Sequence, residues 1–429
     1  MQSADPPEAR LRSWRLRVFA GTWLSYAGYY FCRKPFYKVK GTLTVERGLS
    51  AATLGTIGSA YLVTYALGQF VAAAIGGRLG ARRLLLVGML ASALLNALAG
   101  LLPGTTALLL LMGANGLAQG TGWAGNVGTM AHWTRRSERG TIMGLWSTCY
   151  QAGGLAAGLW AAFLVGHYGW QWSFLGGAAA LLLITALFGL LQRNRPEDVG
   201  LAPLEPPVGE RAGPGPHDAE ATEAASRGWP RSVWFTLGLM SAAYFAIKYV
   251  RYALQSWAAY FLQLNFRLSS AHAGYLADLF EAGGTAGVIV AGRLSDRRFG
   301  GRRTPVILLL LVGLALACLF LWLVGVRSVP LFALSLGLVG FLLYGPDSLL
   351  SAAGAIDVGS QAGALRASGL INGIGAVGSI LQELVIGELY VRRAGHLGLI
   401  FGSLLLAASV ALACMLWVAH RNRRGLSNL

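Results

Sequence analysis

The chain alternates between long apolar runs and short polar or basic segments. A helical run of about 20 apolar residues crosses the hydrocarbon core of a bilayer, and a helix satisfies its own backbone hydrogen bonds there. The alternation therefore predicts an all-α, polytopic membrane protein with twelve transmembrane helices. The predicted helices cover residues 16–37, 52–77, 83–102, 105–131, 139–164, 170–192, 232–262, 269–294, 304–326, 329–352, 362–388 and 396–420.

The apolar pattern stops once in the middle of the chain, at residues 193–231. Proline, glycine and acidic residues cluster in this segment, which is typical of a solvated linker. The break predicts an N-terminal six-helix half at residues 1–192, a cytoplasmic linker at 193–231 and a C-terminal six-helix half at 232–429.

A basic motif and an intramembrane arginine both occur twice at nearly the same offset. The sequence GRLGARR at Gly77–Arg83 is followed 215 residues later by GRLSDRR at Gly292–Arg298. Arg33 and Arg251, each inside an apolar segment, are 218 residues apart. In a fold built from parallel repeats, such equivalent positions face each other across the midline. We therefore predict two pseudo-symmetric halves with Arg33 and Arg251 at matching places.

Composition and charge placement exclude a soluble or nucleic-acid-binding protein. The 429 residues are 55% hydrophobic and 12% charged, which is too apolar for a soluble domain of this size. The net charge is +17, but 24 Lys and Arg residues lie on one set of alternating segments and only 8 on the other. By the positive-inside bias, the richer segments and both termini face the cytoplasm. The basic balance thus indicates membrane topology.

Few residue patterns suggest chemistry. The four cysteines lie in predicted spans without metal-ligand spacing, and no nucleophile–base pair or phosphate-binding loop is evident. We therefore predict no cofactor, no metal and no enzymatic activity. The two arginines remain, because an intramembrane charge costs roughly 2.5–3.5 kcal/mol and usually marks a ligand or pathway. Two guanidinium groups can each donate paired hydrogen bonds to an oxyanion; alternatively, each arginine snorkels or pairs with a buried acid.

With these features the chain resembles the major facilitator superfamily, and more closely the organophosphate:phosphate antiporters, which include glycerol-3-phosphate and hexose-phosphate exchangers. The resemblance covers nearly the whole chain. The segments that carry it are Tyr26–Lys34 (YAGYYFCRK), Asn115–Trp123 (NGLAQGTGW), His132–Gly140, Pro196–Leu201, Arg251 and Tyr252 with Trp257, and Tyr344–Pro346 (YGP).

The resemblance implies that Arg33 and Arg251 bind the phosphoryl group that both substrates share. Tyr26 and Tyr30 lie on the same helical face as Arg33, so their hydroxyls are expected at the same site. Tyr344 matches a cavity tyrosine of the family. Packing in the core or a position in an interfacial belt is the alternative for each tyrosine.

The resemblance also implies moving ion pairs. Glu281 matches a helix-8 acid that the family places near the second arginine, where a salt bridge opens and re-forms; static pairing is the alternative. The basic loops, with Arg78 in the first copy and Asp296 in the second, are expected to pair with neighbouring acids as the halves move.

Two replacements distinguish this chain from the family. Gln69 stands where the family usually has a helix-2 lysine, and Tyr150 corresponds to a helix-5 histidine of the glycerol-3-phosphate branch. Both changes remove charge around the expected site. Lys248 lies one helical turn before Arg251, near enough to restore a positive charge.

Additional acids fall in the predicted spans. Asp278 and Asp347 either bind a proton or a hydroxyl- or amine-bearing part of a substrate, or they balance the charges of Lys248 and Arg251. Glu383 and Glu388, in helix 11, are expected to face the cavity or its outer mouth.

We predict a secondary active transporter that exchanges a phosphorylated organic anion, glycerol-3-phosphate or a sugar phosphate, for inorganic phosphate by alternating access. The expected protein is a monomer in the inner (cytoplasmic) membrane, with no nucleic-acid partner. Two alternatives stay open. One is a proton-coupled carrier of another organic anion, with Asp278 or Glu281 as the titrating group. The other is a membrane receptor that senses sugar phosphate.

Overall fold

The computed structural model describes residues 7–102, 104–204, 231–299, 303–350 and 355–424. These residues form sixteen α-helices and three short 3-10 helices, without a strand among them. The predicted all-α class is confirmed. The α-helices are α1 (Pro7–Tyr29), α2 (Lys34–Arg47), α3 (Ala51–Leu79), α4 (Ala81–Leu101), α5 (Thr105–Gln119), α6 (Thr121–Trp133), α7 (Arg136–Trp146), α8 (Thr148–Tyr168), α9 (Trp170–Leu191), α10 (Arg231–Leu264), α11 (Ser270–Ala277), α12 (Leu279–Arg298), α13 (Arg303–Leu323), α14 (Val329–Ser348), α15 (Ala355–Arg392) and α16 (Gly398–Arg423).

The sixteen helices follow the predicted segments in order. Within the described residues, nine helices are long and apolar enough to cross a membrane by length and composition. Only 33 to 56% of the residues in their most apolar windows are buried inside the protein. Large apolar side chains such as Phe70 and Leu190 are 74% and 72% exposed. Apolar surface of this extent fits contact with lipid.

Pro35 interrupts the first helical stretch next to Arg33. Proline lacks an amide hydrogen, and its ring collides with the carbonyl four residues earlier, here that of Phe31. The chain forms a 3-10 turn at Tyr30–Cys32, closed by a hydrogen bond of 3.1 Å from the Arg33 N–H to the Tyr30 carbonyl. The predicted single helix at 16–37 is therefore two helices, α1 and α2, with Arg33 at their junction.

Three further stretches that were predicted as single helices are also interrupted. The breaks lie at Gly120 between α5 and α6, at Ser147 between α7 and α8, and at Asp278 between α11 and α12. At Gly120 and Asp278 the backbone N–H bonds a carbonyl three residues back, at 3.2 and 3.1 Å, which tightens the turn. Asp278 thus occupies a helix junction, as Arg33 does.

The chain forms two compact units. Unit 1 consists of Met1–Val39 and Ala60–Arg211, and unit 2 of Lys40–Ser59 and Ala212–Leu429. The sequence boundaries place residues 40–59 in the N-terminal half by chain order, whereas their contacts group them with unit 2. Most of the predicted linker, residues 205–230, lies outside the described residues.

In unit 1, close approach of helices brings polar groups together in the core. Helix α4 packs along α9, and the Asn96 side chain donates a hydrogen bond of 2.7 Å to the Phe174 carbonyl. Gly177 of α9 lies against the Phe31 carbonyl at the α1 break, where an added Cβ would overlap the oxygen. The interrupted helix is therefore supported from α9 through a residue without a side chain.

In unit 2, α12 and α14 pack through facing glycines. An added Cβ on Gly283 would overlap the carbonyl of Gly337, and one on Gly287 would overlap the carbonyl of Phe341. Gly284 likewise lies against the ring of Tyr344. Small residues allow this backbone approach in membrane helices. The seam fixes Tyr344 relative to α12, which carries Glu281.

Candidate functional site

Arg33 lies in unit 1 and is 6% exposed. Its Nε donates a hydrogen bond of 3.2 Å to the Gln119 Oε1. The guanidinium carbon lies 4.8 Å from the ring centroids of Tyr30 and Tyr65 and 5.7 Å from that of Tyr61. Aromatic faces attract a cation within about 6 Å without neutralising its charge. Arg33 is thus held by an amide and three tyrosines.

A network of neutral groups orients Gln119. Its Oε1 also accepts a hydrogen bond of 2.8 Å from the Tyr61 hydroxyl, and its Nε2 donates to the Ser92 hydroxyl at 3.2 Å. Ser92 in turn donates to the Asn115 Oδ1 at 2.7 Å. Asn115 Nδ2 donates to the Cys32 carbonyl at 2.8 Å, which satisfies a carbonyl at the helix break. Gln119 and Asn115 therefore link the Arg33 side chain to its own backbone turn.

This setting leaves the charge of Arg33 available. Over the described residues, Arg33 makes no ion pair, and its only hydrogen bond from the side chain is the one from Nε. The two terminal nitrogens of a guanidinium form the fork that binds an oxyanion with two parallel hydrogen bonds. A buried cation held by neutral groups is a suitable anion-binding group.

Tyr26 and Tyr30 belong to an aromatic cluster beside Arg33. Their ring centroids lie 6.1 Å apart, and Tyr26 also packs on Trp123 and Trp146 at 5.5 and 5.7 Å. Both tyrosines are buried. Tyr30 contacts the Arg33 guanidinium directly, whereas Tyr26 forms the next layer.

Arg251 lies in unit 2 in a very different electrostatic environment. Its Nη1 forms an ion pair of 2.6 Å with the Asp347 Oδ2, and Lys248 Nζ lies 3.7 Å from the Asp347 Oδ1. The side chains of Arg251 and Asp347 are 8% and 7% exposed. The guanidinium carbon also lies 4.4 Å from the ring centroid of Tyr344. One carboxylate thus lies against both Lys248 and Arg251 of α10.

Glu281 is buried on the α12 side of this cluster. It accepts hydrogen bonds of 2.6 Å from the Tyr344 hydroxyl and from Gln255 Nε2. Gln255 lies one turn after Arg251 on α10, and Tyr344 lies one turn before Asp347 on α14. The polar cluster of unit 2 therefore joins α10, α12 and α14 through two carboxylates, two cations and a tyrosine.

The structure places the other predicted site residues as follows. Gln69 is half-buried on α3, two turns after Tyr61, and Tyr150 packs half-buried beside the cluster of Tyr26 and Trp146. Asp278 is 2% exposed at its helix junction.

Of the residues predicted in the two basic loops, Arg78 is exposed, and the side chain of Asp296 lies outside what the structure describes. In the first loop Arg82 makes the contacts instead. Its N–H donates to the Asn194 Oδ1 at 2.7 Å, and its Nη2 donates to the Gly189 carbonyl at 2.6 Å. The loop is thus tied to the end of α9.

Sequence reasoning missed three neighbours of Arg33. Tyr61 and Tyr65 lie one turn apart on α3, in the same register as Gln69, so the spacing of polar residues on this apolar helix was a usable signal. Gln119 lies within the motif Asn115–Trp123, and the sequence alone gives it no separate role. In the described residues, no group of His, Cys, Asp and Glu could hold a metal ion.

The fold, Arg33 in unit 1 and the polar cluster of unit 2 define a multi-pass membrane protein with polar groups buried among its helices, a feature of solute carriers. The family model for the Major Facilitator Superfamily matches residues 18–382. The chain therefore belongs to the Major Facilitator Superfamily, a class of transporters, and it is not an enzyme.

Curated relatives refine this assignment. The chain is 31% identical to a "Probable hexose phosphate transport protein" of Chlamydia pneumoniae, with 97% of this chain and 93% of the relative covered. It is 30% identical to the "Glycerol-3-phosphate transporter" of Bacillus subtilis strain 168, covering 95% and 92%. It is 29% identical to the "Membrane sensor protein UhpC" of Salmonella typhimurium, covering 81% and 79%.

Solved structures share the fold at lower identity. A bacterial homolog of the human lysosomal transporter Spinster matches with a TM-score of 0.69 at 17% identity, covering 97% of this chain and 96% of that one. The predicted relationship to the major facilitator superfamily and its organophosphate branch is confirmed.

Proposed function

We propose that the protein transports a phosphorylated organic anion, glycerol-3-phosphate or a sugar phosphate, in exchange for inorganic phosphate. The observation that carries the proposal is the state of Arg33, a buried cation oriented by Gln119 and surrounded by tyrosines. The names of the relatives support the same substrate class, since two of them are transporters of phosphorylated compounds.

Arg33 binds the phosphoryl group that substrate and counter-substrate share. Its two terminal nitrogens donate parallel hydrogen bonds to phosphate oxygens, and the Tyr30 and Tyr65 rings hold the guanidinium plane. Charge-assisted hydrogen bonds each contribute about 1.5–3 kcal/mol. A lysine keeps the charge but cannot supply the planar pair of donors.

Arg251 becomes available for an anion only after Asp347 has moved away. In the described arrangement the Asp347 carboxylate occupies the position that an oxyanion would take on Arg251, at 2.6 Å. Phosphate competes with this internal carboxylate. A phosphate that binds Arg251 therefore displaces Asp347 from it, because Arg251 already has an anionic partner in the empty protein. This competition favours alternation between a loaded and a self-neutralised state.

Alternating access is the proposed mechanism, in the inner membrane and with both termini in the cytoplasm. A bound dianion lowers the cost of moving the buried charge of Arg33 through the transport cycle, because a charge pair is less costly in low dielectric than a lone charge. The empty carrier resists the change, which makes the protein an exchanger driven by the phosphate gradient.

The test is counterflow of labelled inorganic phosphate in proteoliposomes against a panel of phosphorylated metabolites. We expect phosphate uptake when the vesicles contain phosphate or a phosphomonoester, and loss of uptake in Arg33→Gln. Arg392→Gln is the matched control, because the Arg392 side chain is 73% exposed and pairs locally with Glu388. Uptake that Arg33→Gln leaves intact would contradict the proposal.

A sensor is the second candidate, favoured by the similarity to a membrane sensor protein. In this second proposal the protein would bind the phosphorylated ligand without net transport. Ligand-dependent thermal stabilisation of the purified protein, combined with no counterflow for any metabolite of the panel, would select the sensor.

A further inference from the structure

Lys40 and Glu383 form another buried ion pair in unit 2, separate from the one between Arg251 and Asp347. Lys40 Nζ lies 2.7 Å from the Glu383 Oε2, and both side chains are 0% exposed. The Ser256 hydroxyl accepts a hydrogen bond of 2.7 Å from Lys40 Nζ and donates one of 2.5 Å to the Glu383 Oε1. Lys40 Nζ also lies 3.8 Å from the ring centroid of Trp257. The Ser256 hydroxyl therefore bridges the two charged groups, and the Trp257 ring packs against the ammonium group of Lys40.

The surroundings of Glu383 are closely packed by backbone. A Cβ added to Gly58 of α3 would lie 2.6 Å from the Glu383 carboxylate carbon, and one added to Gly55 would overlap the Glu383 carbonyl. A Cβ added to Gly387 would lie 2.6 Å from the Ala51 carbonyl. The Ser59 hydroxyl donates to the Ile380 carbonyl at 3.3 Å. The start of α3 and the C-terminal third of α15 are thus in contact without room for further side chains at these glycines.

The contact between residues 40–59 and α15 matters because the chain on both sides of this segment belongs to the other unit. Residues 40–59 belong to unit 2, but Val39 and Ala60, on either side, belong to unit 1. In a transporter whose two repeats move relative to each other, this segment must either leave α15 or bend at its two ends. The ion pair attaches the segment to α15 at the end where it leaves unit 1.

Helix α2 connects the Lys40–Glu383 ion pair to the candidate binding site at Arg33. Lys40 lies on α2, which begins at Lys34, directly after the helix break at Arg33. Seven residues separate Lys40 from Arg33, which corresponds to about 10 Å along a helix. No loop intervenes, so a displacement of Lys40 is transmitted along α2 to the turn that carries Arg33.

We propose that Lys40, Glu383 and Ser256 form a latch that holds residues 40–59 on α15 and that opens once in each transport cycle, coupled through α2 to the Arg33 site. The inference rests on the proposed transport function. Lys40 and Glu383 act as positioning residues, since opening the latch exposes two charges that stabilise each other only while they are together.

The latch predicts opposite effects of single and double replacements. Lys40→Met or Glu383→Gln alone removes one charge of the buried ion pair and keeps the other, so phosphate exchange should fall at least tenfold. The double variant Lys40→Met/Glu383→Gln has no charge to separate and should open more easily. Arg392→Met/Glu388→Gln is the matched control on the same helix, because that ion pair is exposed at 73% and 49%.

Opening of the latch is measured directly with a cysteine in place of Ser59. The Ser59 residue is only 6% exposed and contacts α15 through the Ile380 carbonyl. In Ser59→Cys protein whose four native cysteines are replaced by alanine, reconstituted in nanodiscs, alkylation by a membrane-impermeant maleimide reports the lifting of residues 40–59. We expect alkylation at least tenfold faster in the Lys40→Met/Glu383→Gln background than in the wild-type or control background. Added inorganic phosphate should change the rate in the wild-type background.

The outcomes separate the latch from the transport proposal. If the unmodified protein exchanges phosphate but the double variant alkylates at the wild-type rate, the latch is refuted and the transport function stands. If alkylation accelerates in the double variant although no phosphate is exchanged, the latch stands and the substrate proposal fails. A charge reversal, Lys40→Glu/Glu383→Lys, keeps the test informative where single variants do not fold, and slow alkylation in it supports the latch.

Discussion

Asp347→Asn is the most informative change at the candidate site, because it removes a charge while keeping the side-chain size. In the described state Asp347 lies 2.6 Å from Arg251 and 3.7 Å from Lys248, with 7% of its side chain exposed. If phosphate must displace this carboxylate, the asparagine variant should bind phosphate more tightly and release it more slowly. Exchange should therefore fall although affinity rises.

The expected magnitude follows from the contact that is lost. A charge-assisted hydrogen bond contributes about 1.5–3 kcal/mol, and each tenfold change in affinity corresponds to about 1.4 kcal/mol. Phosphate should therefore bind about 10- to 150-fold more tightly to Asp347→Asn than to the wild type. Without phosphate, the variant should be less stable, by up to about 3–5 kcal/mol, because two buried cations have lost their partner.

The assay is equilibrium binding of labelled inorganic phosphate to the purified protein, with thermal unfolding at several phosphate concentrations as a second readout. Asp347→Glu is the control that keeps the charge and should stay within a few-fold of the wild type. A folded, monodisperse Asp347→Asn variant that binds phosphate no more tightly than the wild type would falsify the competition between carboxylate and phosphate.

Three further changes test the surrounding structure. Arg33→Lys should lose most of the phosphate exchange in proteoliposomes, because a lysine cannot supply the paired donors; near-normal exchange would count against a phosphate site there. Gln119→Leu should weaken phosphate binding about tenfold, since it removes the oxygen that accepts hydrogen bonds from both the Arg33 Nε and the Tyr61 hydroxyl, a loss of about 1–3 kcal/mol; unchanged binding would show that Gln119 does not orient Arg33. Gly287→Val should lower the thermal unfolding temperature strongly, because a side chain there collides with the Phe341 carbonyl, whereas Gly128→Val, a position with no atom close to an added Cβ, should change it much less.

The sequence predicted the order of the helical stretches and the burial of the two arginines, because apolar runs and intramembrane charges are local signals, but it did not predict the breaks inside four of those stretches. It could not supply the surroundings of Arg33, since Tyr61, Tyr65 and Gln119 come from other helices and meet it only after packing. The sequence allowed two interpretations of Asp347, and the structure shows the one in which it balances Arg251 and Lys248. The partner of Lys40 lies 343 residues away, a separation that no local pattern predicts.

The 3-10 turn at Tyr30–Cys32 also has a consequence for how helix motion can reach Arg33. A 3-10 helix advances about 120° and 2.0 Å per residue, whereas an α-helix advances about 100° and 1.5 Å. Rewinding these three residues from one form to the other would turn α2 by about 60° about its axis and draw it in by about 1.5 Å. A change of winding over this single turn would thus rotate and shift α2 together, and the side chains of α2 would move around its axis while α1 stays in place.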